Sequence, residues 1–320
     1  MSTAAINPKG PRVYAPGNTP YAWATTYLTS TVGQKVLVGF TGLLLVGFLV
    51  FHMIGNLKVL PGFDPVSDKA MQQAGAKAAE KYPDNPNARQ QYVDEHVRAF
   101  EAREHLNKYA AFLKHDLGAL IWIARGGLLL LFVLHLALAL RLKLRSVAAR
   151  PMPYQVYRPA QAGLASRTMV YTGVVVGLFT LFHLAHYTFG WVKPAVYGES
   201  VIAAVGPNDE LREVPPRTAV PYLALRDRKD PRKHDVYEMT VSGFSNPWMI
   251  GIYLVAQVVL FVHLRHGIPS VFQTLGIKNA RLRGGIDVLG LLIALTILVG
   301  NVALVVAVQL GWLKSQYAAG

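Results

Sequence analysis

Apolar residues in this chain gather into five runs of about 20, each long enough to cross a hydrocarbon core about 30 Å thick. The runs cover residues 36–53, 117–140, 168–187, 248–268 and 286–310, with polar stretches between them. They predict an all-α integral membrane protein of five transmembrane helices, forming a single membrane domain over residues 1–320. Two of the connections are long. Residues 69–114 are rich in Ala, Glu, Gln and Lys and read as helical, with a break at Pro83 and Pro86. Residues 191–246 carry Pro215-Pro216, Pro221 and Pro231 and read as irregular or short-stranded. Both segments are expected to cap one end of the helix bundle.

Composition agrees with the pattern. Hydrophobic residues make up 52% of the chain and charged residues only 16%, against about 25% charged in soluble domains. Overall disorder and a soluble enzyme are both excluded. The net charge of +14 raises the question of nucleic acid, and the placement of the charges answers it. Residues 141–167 hold Arg141, Lys143, Arg145, Arg150, Arg158 and Arg167 with no acid, and the link between the last two runs holds Lys278, Arg281 and Arg283 with none. The long connections at 55–116 and 188–246 are balanced. Lys and Arg concentrate in the short cytoplasmic loops of membrane proteins, so the surplus is a topology signal and not a nucleic-acid footprint. It predicts a multi-pass protein of a bacterial-type cytoplasmic (inner) membrane. Residues 1–32 would be cytoplasmic, and the two long loops and the C-terminus outside. The basic surface also suits anionic lipid or an acidic partner. The first 30 residues hold Lys9 and Arg12 but no apolar stretch, so no cleavable secretory signal is expected. Cysteine is absent, which excludes disulfides, thiolate-bound iron–sulfur clusters and covalently attached haem within this chain.

Six of the ten histidines lie inside the apolar runs: His52, His135, His183, His186, His263 and His266. A single buried His is commonly an interior side chain bonded to a neighbouring helix. One or more in each of four consecutive spans is a different observation, because ionisable residues within a membrane mark function. Depth sorts them. At 1.5 Å per residue His52 lies about 24 Å into its span, near the outer face, as does His183. His135 and His263, on spans running the other way, fall near the cytoplasmic face. Two layers of paired imidazoles on facing helices are what two stacked bis-histidine haems need. Internal similarity helps to choose between neighbours. Thr41-Gly42 precedes Phe51-His52 as Thr172-Gly173 precedes Phe182-His183, which favours His183 over His186. Leu131-Phe-Val-Leu-His135 echoes Leu260-Phe-Val-His263, which favours His263 over His266. The Thr-Gly pairs are small enough for a helix or a macrocycle to approach closely. With imidazole at both axial positions the expected role is electron transfer. Buried His also occurs in transporters, but these would pair it with midplane carboxylates, whereas no span contains Glu and Asp287 lies at the very start of the fifth. Arg125, in the second span, is a candidate partner for haem propionates. Ser30, Thr31, Gln34 and Lys35 open the first span, as interface anchors or as part of a quinone pocket, and Asn56 is a helix-end group.

The stretch Gly33-Gln-Lys-Val-Leu-Val-Gly-Phe-Thr41-Gly42, with Phe51-His52-Met-Ile-Gly55-Asn56-Leu57, resembles the first span of the cytochrome b558 membrane-anchor subunits of succinate dehydrogenase and fumarate reductase. His263-Leu-Arg-His266-Gly267, with Phe272-Gln-Thr-Leu-Gly276, resembles their fourth. The resemblance extends over all five spans. It implies a haem-binding four-helix bundle, two haem b groups ligated by His52, His135, His183 and His263, and a quinone (menaquinone or ubiquinone) as electron partner. It further implies a flavoprotein and an iron–sulfur subunit docked on the cytoplasmic side, so that the chain serves succinate:quinone oxidoreduction within a complex and has no dicarboxylate site of its own. A di-haem anchor of another dehydrogenase, such as a hydrogenase or formate dehydrogenase, is the alternative within this class. A non-redox membrane protein is the alternative outside it. The two long loops depart from compact relatives and leave room for a higher oligomer of the complex.

Overall fold

The computed structural model describes residues 19–60, 68–149, 163–189, 191–192, 202–204, 211–213, 236–277 and 279–313. Nine α-helices are described: α1 (Pro20–Thr29), α2 (Thr31–Leu57), α3 (Asp68–Lys81), α4 (Pro86–Ala111), α5 (Ala119–Ala148), α6 (Leu164–His183), α7 (Val236–Gly243), α8 (Pro247–Thr274) and α9 (Ala280–Gln309). Single π-helical turns follow α4 (Phe112–Asp116) and α6 (Leu184–Thr188). Among the described residues the other regular structure is a three-residue antiparallel ribbon, β1 (Ile202–Ala204) on β2 (Leu211–Glu213). Five helices are long and apolar enough to cross a membrane: Thr31–Leu57, Ala119–Ala148, Ser166–Thr188, Pro247–Thr274 and Arg281–Gln309. Apart from that ribbon the described residues are helical, with five helices long and apolar enough to span a membrane, as the hydropathy pattern predicts.

Local chemistry sets where these helices start. Ser30 breaks α1 from α2 in extended backbone, and its hydroxyl accepts from the Gly33 N–H at 3.0 Å. Asn85 and Asn246 each cap a helix whose first residue is proline, pre-set to the helical φ and lacking the N–H that would go unpaired. Asn279 caps α9 through the Arg281 N–H. Gly118 turns the chain into α5 with φ of 51°, a left-handed conformation that glycine adopts without strain. The helices outrun the apolar stretches that reveal them. α5 continues through Arg141, Lys143 and Arg145 to Ala148, because long basic side chains lay their stems on the apolar surface and lift only the charge away.

α2, α5, α6 and α8 form a ring: α2 packs on α5 and α8, and α6 packs on α8 and meets α5. α2 and α6 are thus diagonal to one another, as are α5 and α8. α9, the span without histidine, lies outside the ring against α8 and α2. Its contact is tight where Gly290 faces Pro269, since a Cβ there would come within 2.9 Å of the proline ring. Met53, Leu260, Leu264, Ile268, Ala294 and Ile297 fill this seam, and the Asn301 side chain donates to Gln257 Oε1 at 3.0 Å across it.

α4 and α7, from the two long connections, pack at the end of the ring that carries His52 and His183. α3 and α4 form a hairpin broken at residues 82–85, where the two prolines predict a break. α4 packs on α7, and the Tyr237 N–H donates to Asn107 Oδ1 at 3.0 Å. Leu106 of α4, Tyr237 and Val241 of α7, and Phe244 just beyond it share one core with Val59, Tyr253, Leu304 and Leu313. The prolines at 215–231 lie outside the described residues.

Candidate functional site

Each ring helix contributes one of the four candidate histidines, and the diagonals bring them together in pairs. His52 of α2 and His183 of α6 have ring centroids 5.8 Å apart and planes at 89°. His135 of α5 and His263 of α8 lie within electrostatic range of each other. His135 sits level with Thr41 on α2, and His263 level with Thr172 on α6. His52 and His183 lie about 16 Å further along those same helices. The four imidazoles therefore form two layers spaced along the bundle axis.

The His135/His263 layer is built twice on one plan. His135 Nδ1 lies 3.1 Å from the Val38 carbonyl and 3.2 Å from Thr41 Oγ1. A carbonyl only accepts, so Nδ1 carries the proton and Nε2 keeps its lone pair. His263 Nδ1 lies 3.2 Å from Thr172 Oγ1, and the ring also bonds to the Met169 backbone. Both rings are thus held in the tautomer that leaves Nε2 free to bind a metal, the arrangement that ligating histidines favour. Glycine makes the approach close: a Cβ at Gly42 would stand 3.0 Å from His135 Cε1, and one at Gly173 would stand 3.2 Å from His263 Cε1. The Thr-Gly pairs, repeated at equal distance before His52 and His183, thus cradle the histidine of the following span.

The His52/His183 layer is aromatic. His52 stacks on Phe48 at 5.4 Å. The Tyr253 hydroxyl of α8 lies 3.3 Å from His183 Nδ1 and 3.0 Å from His186 Nδ1. One hydroxyl hydrogen serves only one of them, so the other ring donates to it. Phe179, Phe182 and Phe244 surround the same tyrosine. His186, in the π-turn, is fully buried and lies against Tyr187 at 4.2 Å, while His183 is the one that meets His52. His266 Nε2 lies 3.2 Å from Ser270 Oγ on its own helix, while His263 is the one that meets α6.

The geometry suits haem. Two imidazoles bracketing one metal through bonds of about 2 Å place their ring centroids roughly 6 Å apart, close to the separation of His52 and His183. Among the described residues no group of three or more His, Cys, Asp and Glu converges on a point, whereas a bis-histidine haem asks for two. Arg125 lies near the start of α5 on its exposed side, its guanidinium 4.9 Å over the Trp122 ring.

The polar cluster at the start of the first span is tied up internally. Ser30 serves as the cap. Gln34, fully buried, donates through Nε2 to the Thr29 carbonyl at 3.2 Å, and Arg145 Nη1 donates to that carbonyl and to Gln34 Oε1 at 3.3 Å each. Lys35 is exposed, and Asn56 closes the last turn of α2 through its carbonyl, which accepts from the Val59 N–H. Tyr253, Val38, Met169 and Arg145 were not evident from the sequence. The repeated Thr-Gly spacing is the one signal that points toward any of them. Comparison with protein-family models, with curated proteins and with solved structures returns no match to this chain.

Proposed function

We propose that the chain is a di-haem cytochrome b, the membrane-anchor subunit of a succinate:quinone oxidoreductase that relays electrons between an iron–sulfur partner and membrane quinone. The observation that carries the cytochrome reading is the pairing of four imidazoles on diagonal helices in two layers, with both Nδ1 atoms of one layer held against a threonine hydroxyl. Haem bound by these imidazoles would supply one-electron transfer.

The chain's own residues do the positioning. α2 and α6 present His52 and His183, and α5 and α8 present His135 and His263. Val38, Thr41, Met169 and Thr172 fix ring tautomer and direction at one layer, and Tyr253 orients His183 at the other. The core shared by α4 and α7 covers the His183 end and keeps water from it. Arg145, with Arg141, Lys143, Arg167, Arg281 and Arg283, gives the opposite end a basic surface for a soluble partner. By the charge rule that end is cytoplasmic.

The succinate assignment rests on the resemblance carried by residues 33–57 and 263–276. It is tested by isolating the native complex through a tag on this chain. Co-purification of a flavoprotein and an iron–sulfur protein, with haem reduced on addition of succinate, is the expected result. A hydrogenase or formate dehydrogenase partner, with haem reduced by its substrate, would reassign the anchor to that enzyme class.

A further inference from the structure

We infer that Thr41 and Thr172 are matched positioning residues for one and the same haem, that of His135 and His263, although each lies on a helix that ligates the other haem. The inference rests on the di-haem reading above. Each threonine hydroxyl has already committed its hydrogen to its own helix, Thr41 to the Leu37 carbonyl at 2.8 Å and Thr172 to the Met169 carbonyl at 2.9 Å. What remains is a lone pair aimed at an imidazole Nδ1, at 3.2 Å in both cases. At His135 the Val38 carbonyl, 3.1 Å away, completes a two-acceptor seat for the Nδ1–H, and at His263 the ring bonds to the Met169 backbone. Acceptors at Nδ1 make Nε2 a more basic ligand, which stabilises oxidised iron over reduced. The glycine after each threonine lets the ring sit in this seat and nowhere deeper.

The repeat therefore works crosswise. In α2 and α6 the threonine serves one layer, and the histidine eleven residues later serves the other. The His52/His183 layer has no such matched seat among the described residues: His183 shares a phenol with His186, and His52 makes ring contacts with Phe48 and His183.

The test uses the haem-loaded protein with Thr41→Val and Thr172→Val made singly, a redox titration resolving the two haems, and His135→Ala to identify which signal belongs to that layer. Each valine variant is expected to keep both haems and shift the His135/His263 haem to higher potential, leaving the other in place. Thr41→Ser and Thr172→Ser retain the hydroxyl and are expected to hold the wild-type potential. Thr41→Ala and Thr172→Ala remove it without a branched methyl and carry the valine expectation should valine impair loading. No shift, a shift confined to the His52/His183 haem, or serine variants that move as valine does would overturn the inference and leave the di-haem reading standing. A wild-type protein without haem would overturn the reading itself.

Discussion

Adding one methyl at Gly42 tests the cradle with a magnitude that follows from the structure. An alanine Cβ there would stand 3.0 Å from Cε1 and 3.4 Å from Nδ1 of His135, inside the roughly 3.5–4.0 Å at which carbon atoms rest. The ring must withdraw by about half an ångström, which stretches Nδ1 contacts already at 3.1 and 3.2 Å toward the limit of a hydrogen bond. Overpacking of this kind costs about 1–3 kcal/mol, offset by about 1 kcal/mol from replacing a helical glycine with alanine. Gly47, on the same helix, has no atom within 4 Å of its would-be Cβ, so Gly47→Ala collects the helix gain alone. The two variants should therefore differ by about 1–3 kcal/mol in denaturant unfolding of the detergent-solubilised protein, followed by far-ultraviolet circular dichroism. Gly173→Ala, with its contact at 3.2 Å, should fall between them. Equal stability of Gly42→Ala and Gly47→Ala would refute the close approach of His135 to α2.

His52→Ala and His183→Ala should remove the same haem and His135→Ala and His263→Ala the other, read as haem content and as the redox signal that survives; loss of different haems from the His52 and His183 variants would break the pairing. Tyr253→Phe deletes the hydroxyl shared by His183 and His186 and should alter the low-spin resonance signal of the His52/His183 haem alone. Asn301→Ala removes the donor to Gln257 across α8 and α9 and should cost about 0.6 kcal/mol, the average for hydrogen bonds between membrane helices, and at most about 1.7 kcal/mol, measured by the same unfolding assay.

Hydropathy was enough to find the five spans, because about 20 apolar residues in a row have few other uses. It was not enough to find their ends. α5 runs on through three basic residues and α8 begins where Asn246 and Pro247 cap it, and capping and snorkelling leave no mark on an apolar count. The break between α3 and α4 was legible in Pro83 and Pro86, since proline removes an N–H and resists a helical predecessor. At the site, spacing along each helix assigned the layers, because depth follows from rise per residue. Spacing along one helix says nothing of what the facing helix brings. The Thr-Gly pairs were visible as a repeat before His52 and His183, yet their partners are His135 and His263, 94 and 91 residues beyond the threonines on the next spans. Tyr253 was hidden in an apolar run, where a tyrosine reads as filler until the histidines across from it are in place.

The account stands most directly on whether the purified chain holds two low-spin haems. A reduced-minus-oxidised optical spectrum, combined with haem extraction and protein quantitation, measures this without the partner subunits. The di-haem proposal predicts a low-spin α-band and two haems per chain, falling to one when His52 or His135 is replaced by alanine. A chain that is folded and embedded in membrane yet shows no α-band would contradict the cytochrome reading outright.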